Sequence, residues 1–138
     1  MKIIIERGKV FEKVRTEVFY RGEARKAELA DVASMAQMSQ DDAPMFGDLF
    51  EETAKRVLGE LMIWRYPSVE VSEDAVFEVC PPASWPNLGN ELKSAIEVYM
   101  VHAIVNRWLY MLGVGAEDFS DADALGIRRV LTKREMPL

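Results

Sequence analysis

The chain of 138 residues is long enough for one domain with a substantial core, and its composition, 49% hydrophobic and 29% charged, is that of a globular protein. A single cysteine, Cys80, excludes an internal disulfide framework and a cysteine-rich zinc site. The net charge of −6 argues against a dedicated surface for duplex nucleic acid, because phosphate contacts dominate such binding.

Charge is unevenly distributed along the chain. Residues 1–27 and 124–138 are basic, whereas residues 28–123 are acidic. Solvated helix faces are the ordinary explanation of such runs. The alternative is that the basic ends bind an acidic partner, or the acidic middle of another copy in a symmetric oligomer.

The first predicted elements are a short strand and a helix. Three β-branched residues flanked by charges at positions 2–6 predict the strand. Apolar residues spaced three and four apart between Gly8 and Tyr20 predict an amphipathic helix that ends near Gly22. Charges return after three consecutive apolar residues, so we expect no signal peptide.

Residues 23–38 contain good helix formers, but their apolar stripe is alanine and methionine. This pattern fits either a weakly anchored helix or a mobile segment that orders against a partner. We expect it to be the most mobile part of the chain, because few large side chains hold it in place.

The next helix begins with Ser39 and Asp42, which have the spacing of a capping box. Apolar residues then recur at helical spacing from Phe46 to Trp64, and Pro67 is expected to end the element. Alternating valines between positions 69 and 79 predict a β-hairpin with an acidic outward face. Three prolines in the following stretch predict an extended connector.

The long helix near Glu91–Gly115 is apolar on almost every side. Only nine uncharged residues separate Glu97 from Arg107, too few to cross a membrane. A helix that is apolar all round is buried in a large core or shared between subunits, so we expect this one to be the core of the fold and partly shared. A last helix, capped by Ser120 or Asp121, is expected to place Leu125 and Leu131 on its apolar side.

No combination of residues predicts catalysis or a bound metal or cofactor. His102 is the only histidine, and it lies in an apolar run without companion ligands. Cys80 lacks a neighbouring base. Acidic residues at positions 117, 118, 121 and 123 lack the glycine turn and distal glutamate of a calcium loop. The three tryptophans flank apolar runs and are interpreted as anchors.

The predicted fold is therefore a single mainly α domain over residues 1–138. It is a small helical bundle around one long apolar helix, with a short N-terminal strand and a β-hairpin. We expect a soluble homo-oligomer with no membrane-spanning segment. The candidate interface residues are Tyr99, His102, Asn106, Trp108, Arg128 and Arg129.

The order of these elements, with the connector Pro82–Trp85 and the helix from Tyr99 to Trp108, resembles small phage and prophage virion-assembly proteins of the head–tail connector (adaptor) type. The resemblance covers roughly residues 39–134. It implies a helical fold with a hairpin, no enzymatic activity, ring-like oligomers and binding to other virion proteins. It also implies a location in the cytoplasm during assembly and in the virion afterwards. The alternative is a cytoplasmic regulatory or antitoxin-like protein-binding module.

Overall fold

A computed structural model describes residues 1–25, 38–112 and 122–134, and this part of the chain is mostly helical, as predicted. It contains four helices and three strands. In chain order they are β1 (Lys2–Ile5), α1 (Arg7–Arg25), α2 (Ala43–Leu61), β2 (Arg65–Val71), β3 (Ala75–Cys80), α3 (Gly89–Met111) and α4 (Ala122–Leu131).

The predicted N-terminal strand and the predicted hairpin are both present, and they form one antiparallel sheet in the order β1-β3-β2. Phe77 of the central strand lies opposite Ile3 on one side and Val69 on the other. Ile3, Ile5 and Phe77 are buried against the helices, while Lys2 and Glu78 pair on the exposed face. The alternation of apolar and polar residues thus sets which face of the sheet is buried.

Helix α1 buries the residues that its spacing predicted, among them Val10, Val14 and Val18. The predicted end at Gly22 is wrong, because the helix continues to Arg25. Glycine inside a helix costs only about 1 kcal/mol, which neighbouring contacts can offset. One such contact is the 2.8 Å hydrogen bond that Arg21 donates to Asn106 Oδ1 of α3.

The capping box before α2 is confirmed. Ser39 N donates to Asp42 Oδ2 at 2.8 Å, and the Ser39 side chain accepts from Asp41 N. The motif initiates a short 3₁₀ turn, Gln40–Asp42, directly before the helix.

The predicted end of this helix at Pro67 is wrong. Helix α2 ends at Leu61, Trp64 lies in the following turn, and Pro67 lies inside β2. The proline is tolerated because β2 is an edge strand and its pairing with β3 is irregular between Arg65 and Ser68.

Helix α3 is the longest helix in the described ranges and packs against α1, α2, α4 and β1. The description of it as one long apolar helix is not confirmed. Its first half buries a single stripe that includes Leu92 and Ile96, and Val98 is 51% exposed. Only from Met100 to Leu109 is it buried on several sides.

That buried run is covered by the protein's own helices and sheet: Ile104 and Val105 are both 0% exposed within the single chain. The run therefore needs no second subunit to cover it, and the expectation that α3 is partly shared between copies stays a prediction. The shielding comes from three surrounding helices, whose arrangement local spacing does not reveal.

Helix α4 buries Ala124, Ile127, Val130 and Leu131. The prediction of Leu125 on its apolar side is wrong, since that side chain is 45% exposed. The predicted caps of this helix, the acidic group at positions 117–123 and almost all of the predicted mobile segment 23–38 lie outside the residues whose side chains are described. Among the described helices, none is long and apolar enough to cross a membrane.

All three tryptophans are buried, which confirms their interpretation as anchors. The rings of Trp64 and Trp85 meet edge to face with centroids 4.8 Å apart. Trp85 Nε1 donates a 2.8 Å hydrogen bond to the carbonyl of Val130. The proline-rich connector is thereby joined to both the α2–β2 turn and the last turn of α4.

Candidate interaction surface

The six predicted interface residues do not form one surface. Tyr99, His102 and Asn106 are half-buried on α3, whereas Trp108 is only 4% exposed and belongs to the core. Arg128 and Arg129 are exposed on α4. Arg128 makes a two-pronged ion pair with Glu60, at 2.6 and 2.9 Å.

His102 lies at an open groove of about 420 Å³ between α1 and α3. Val98 and Val101 line it on the same helix, and Thr16 lines it on α1. The two helices run parallel here. Lys13 of α1 pairs with Glu97 of α3, and further along both helices Arg21 bonds to Asn106.

The charges on the rim of this groove are paired within the chain. Glu12 pairs with Arg15, and Glu17 pairs with Arg21. The groove therefore presents an apolar wall between solvated ion pairs, each of which contributes little to stability or binding. A charged ligand would have to displace those pairs.

A metal site needs a set of several ligand side chains. The described residues include no group of three His, Cys, Asp or Glu side chains that could hold a metal ion. Cys80 is exposed on the outer face of the sheet, opposite Arg65.

A different surface stands out at the junction of α2 and β2. Met62 is 62% exposed, Ile63 is 59% exposed and Tyr66 is 87% exposed, within five consecutive positions. We call these three residues the apolar corner. Scattered apolar residues are normal on a protein surface, whereas several large ones in one place mark an interaction site.

The backbone at this corner is also strained. Tyr66 has a φ of 52°, and it is the one non-glycine residue with positive φ in the described part of the chain. The left-handed conformation costs a residue with a Cβ roughly 1–2 kcal/mol. Pro67 follows directly and restricts Tyr66 further.

Reasoning from sequence missed the apolar corner, because the helical spacing was extended to Trp64 and placed Met62 and Ile63 on a helix. A signal was present. Two apolar residues directly after a buried Leu61, followed by an aromatic residue before proline, fit an exposed turn as well as a helix end.

Several exposed acidic residues lie near the hairpin turn, and several exposed arginines lie near the junction of α2 and β2. Near the apolar corner lie Arg65, Arg129 and Arg134, which we call the basic end; all three are exposed. Near the hairpin turn lie Asp48, Glu70 and Glu73, which we call the acidic end and which are also exposed. No ion pair joins Asp48, Glu70, Glu73, Arg65 or Arg129 to another described residue.

Comparison with known proteins assigns no relative. No protein-family model matches the chain, and no significant match is found to a curated protein or to a solved structure.

Proposed function

We propose that this protein is a non-enzymatic assembly protein that works by binding other proteins, and that the apolar corner is a contact surface. The supporting observation is the exposure of Met62, Ile63 and Tyr66 beside a well-packed core. Burying a large apolar side chain is worth about 1.5–3 kcal/mol, so a partner that covered the corner would gain several kcal/mol.

The strain at Tyr66 supports the same conclusion. Strained residues persist where the surroundings hold them, and they concentrate at functional sites. Here the conformation displays an aromatic ring that is almost completely in solvent. Tyrosine is among the residue types that dominate binding energy at protein interfaces.

The finer proposal is a head–tail connector of the phage type, which oligomerises and binds other virion proteins. It is supported by the order of strand, helices and hairpin, and by the surfaces that the fold leaves exposed. Assembly in the cytoplasm and residence in the virion belong to this proposal. The apolar run of α3 no longer supports it, because the chain covers that run itself.

The experiment compares wild type with a Met62→Ser/Ile63→Ser variant in binding to the purified products of the genes beside this one. We expect the variant to lose binding while keeping its helical circular dichroism. Val98→Ser is the control, because Val98 is also exposed but lies on α3, at the groove beside α1. Unchanged binding by the corner variant would reject the contact surface.

The neighbouring genes also test the finer assignment. Portal, terminase or capsid genes beside this one support the connector. A toxin gene directly adjacent would instead support the regulatory or antitoxin-like module.

A further inference from the structure

The basic end and the acidic end lie at opposite ends of α2 and of the sheet. Helix α2 has 19 residues, so it spans about 28 Å. Strand β2 returns along it over seven residues, or about 23 Å. Both lengths exceed the screening distance of about 8 Å at physiological salt, so the two ends act as separate charged patches.

The acidic end is held together by Arg7. Its guanidinium donates to the carbonyls of Ser72 and Glu73 in the hairpin turn. The same group lies beside Gly47 of α2, where a Cβ would come within 3.2 Å of its Nη1. Gly47 therefore lies next to the hairpin turn, and Asp48 is the following residue of α2. Asp48 lies beyond the first turn of α2, and Glu70 and Glu73 lie on the hairpin, so the helix dipole accounts for none of these three acids.

The basic end is continuous with the apolar corner. Trp64 lies between Ile63 and Arg65 and packs on Trp85, which bonds to Val130 of α4. Arg129 precedes Val130 in the chain. Arg134 Nη1 donates a 3.0 Å hydrogen bond to the carbonyl of Leu131, the last residue of α4.

We propose that the apolar corner and basic end of one copy dock on the acidic end of a second copy. This proposal names the partner of the contact surface proposed above and rests on it. Charge complementarity selects the partner, because exposed arginines lie near the corner, where Glu60 is already paired with Arg128, and the same chain carries exposed acidic residues at the other end of α2. Met45, 46% exposed in the first turn of α2, supplies apolar area to the acidic side.

The contact is heterologous, that is, it joins two different surfaces. Each copy in a docked pair still has one free basic end and one free acidic end, so further copies can add. A two-fold dimer through the corner alone would place Arg65 and Arg129 against their own counterparts, and like charges face to face cost several kcal/mol.

The test reverses one end at a time in the full-length chain. Arg65→Glu/Arg129→Glu makes both ends acidic, and Asp48→Lys/Glu73→Lys makes both ends basic. Sedimentation velocity should show self-association of wild type that weakens in ~1 M salt, where the screening length falls to about 3 Å. Each reversed variant should self-associate about tenfold more weakly or not at all.

An equimolar mixture of the two reversed variants should associate again, since each end then meets its opposite. Lys55→Glu/Arg56→Glu is the control, because it changes the net charge as much as the arginine pair does but lies within α2, between the two ends. It should associate like wild type.

A wild type that stays monomeric at all concentrations would overturn the proposal, as would a closed two-fold dimer or a mixture that fails to associate. If wild type is monomeric and still binds a neighbouring gene product through Met62 and Ile63, the self-docking fails while the proposed function stands.

Discussion

The backbone amide of Arg7 donates a 3.0 Å hydrogen bond to Asp74 Oδ1, so that the hairpin turn caps the first helix from 67 positions away. Helix α1 has no acidic residue in its own first turn. The distant carboxylate therefore accepts a hydrogen bond from one of the unpaired amides at the helix N-terminus. Its negative charge also interacts favourably with the positive end of the helix dipole. The Arg7 guanidinium also lies 5.3 Å from the ring centre of Phe50, which links α2 to the same contact.

Removal of this cap should destabilise the protein. We expect Asp74→Ala to lower the free energy of unfolding by about 0.5–2 kcal/mol, the usual cost of losing an N-terminal cap. Urea unfolding followed by circular dichroism measures it. The matched control is Glu73→Ala, because the Glu73 side chain makes no such contact and an exposed substitution usually changes stability by less than about 0.5 kcal/mol. Equal effects of the two variants would contradict the capping role.

Trp64 and Trp85, whose rings meet edge to face, should respond differently to the same substitution. Trp85→Phe removes the hydrogen bond to Val130 and should cost about 1–3 kcal/mol. Trp64→Phe should cost less, because the buried Trp64 Nε1 has no hydrogen-bond partner among the described residues. Thermal or urea unfolding of both variants measures which of them loses more stability. A larger loss of stability for Trp64→Phe would show that the hydrogen bond from Trp85 to Val130 is not the main contribution of this pair.

Relief of strain at Tyr66 should stabilise the chain and weaken its interactions. Glycine adopts positive φ without a Cβ penalty, so Tyr66→Gly should gain about 0.5–1 kcal/mol after its own entropic cost. Tyr66→Ala keeps the Cβ and should show no such gain. Urea unfolding compares the two, and both should bind partners less well because the exposed ring is lost. A glycine variant no more stable than the alanine variant would argue against strain.

Substitution along α3 should separate its buried and exposed positions. Val105→Asp places a carboxylate where the native side chain is 0% exposed, and its burial cost is several kcal/mol out of a total stability of about 5–15 kcal/mol. We expect it to unfold the chain rather than to leave a folded monomer. Val98→Asp, at a position that is 51% exposed, should stay folded. Circular dichroism of both variants shows whether each is folded. A folded, monomeric Val105→Asp variant would indicate that Val105 contacts a second copy rather than the core of its own chain.

Much of the fold followed from local patterns in the sequence. The capping box at Ser39 and Asp42, the first strand, the alternating valines of the hairpin and the buried tryptophans were predicted because each depends on neighbours a few positions away. The ends of α1 and α2 were predicted wrongly, because neither a glycine nor a helical spacing reveals which tertiary contacts extend or end a helix.

What the sequence alone determined is a mainly helical chain with a small sheet and segregated charge. Tertiary structure decided how those pieces are used. It covered the apolar run of α3 with helices and strands of the same chain and buried Trp108. It left Leu125, Met62 and Ile63 exposed. It also placed Gly47, the residue before Asp48, beside the hairpin turn, and it linked Trp64, the residue before Arg65, through Trp85 to Val130 of α4. The physical reason is that burial and charge pairing depend on which elements pack together across the whole chain, and residue spacing within one element carries no information about its neighbours in space.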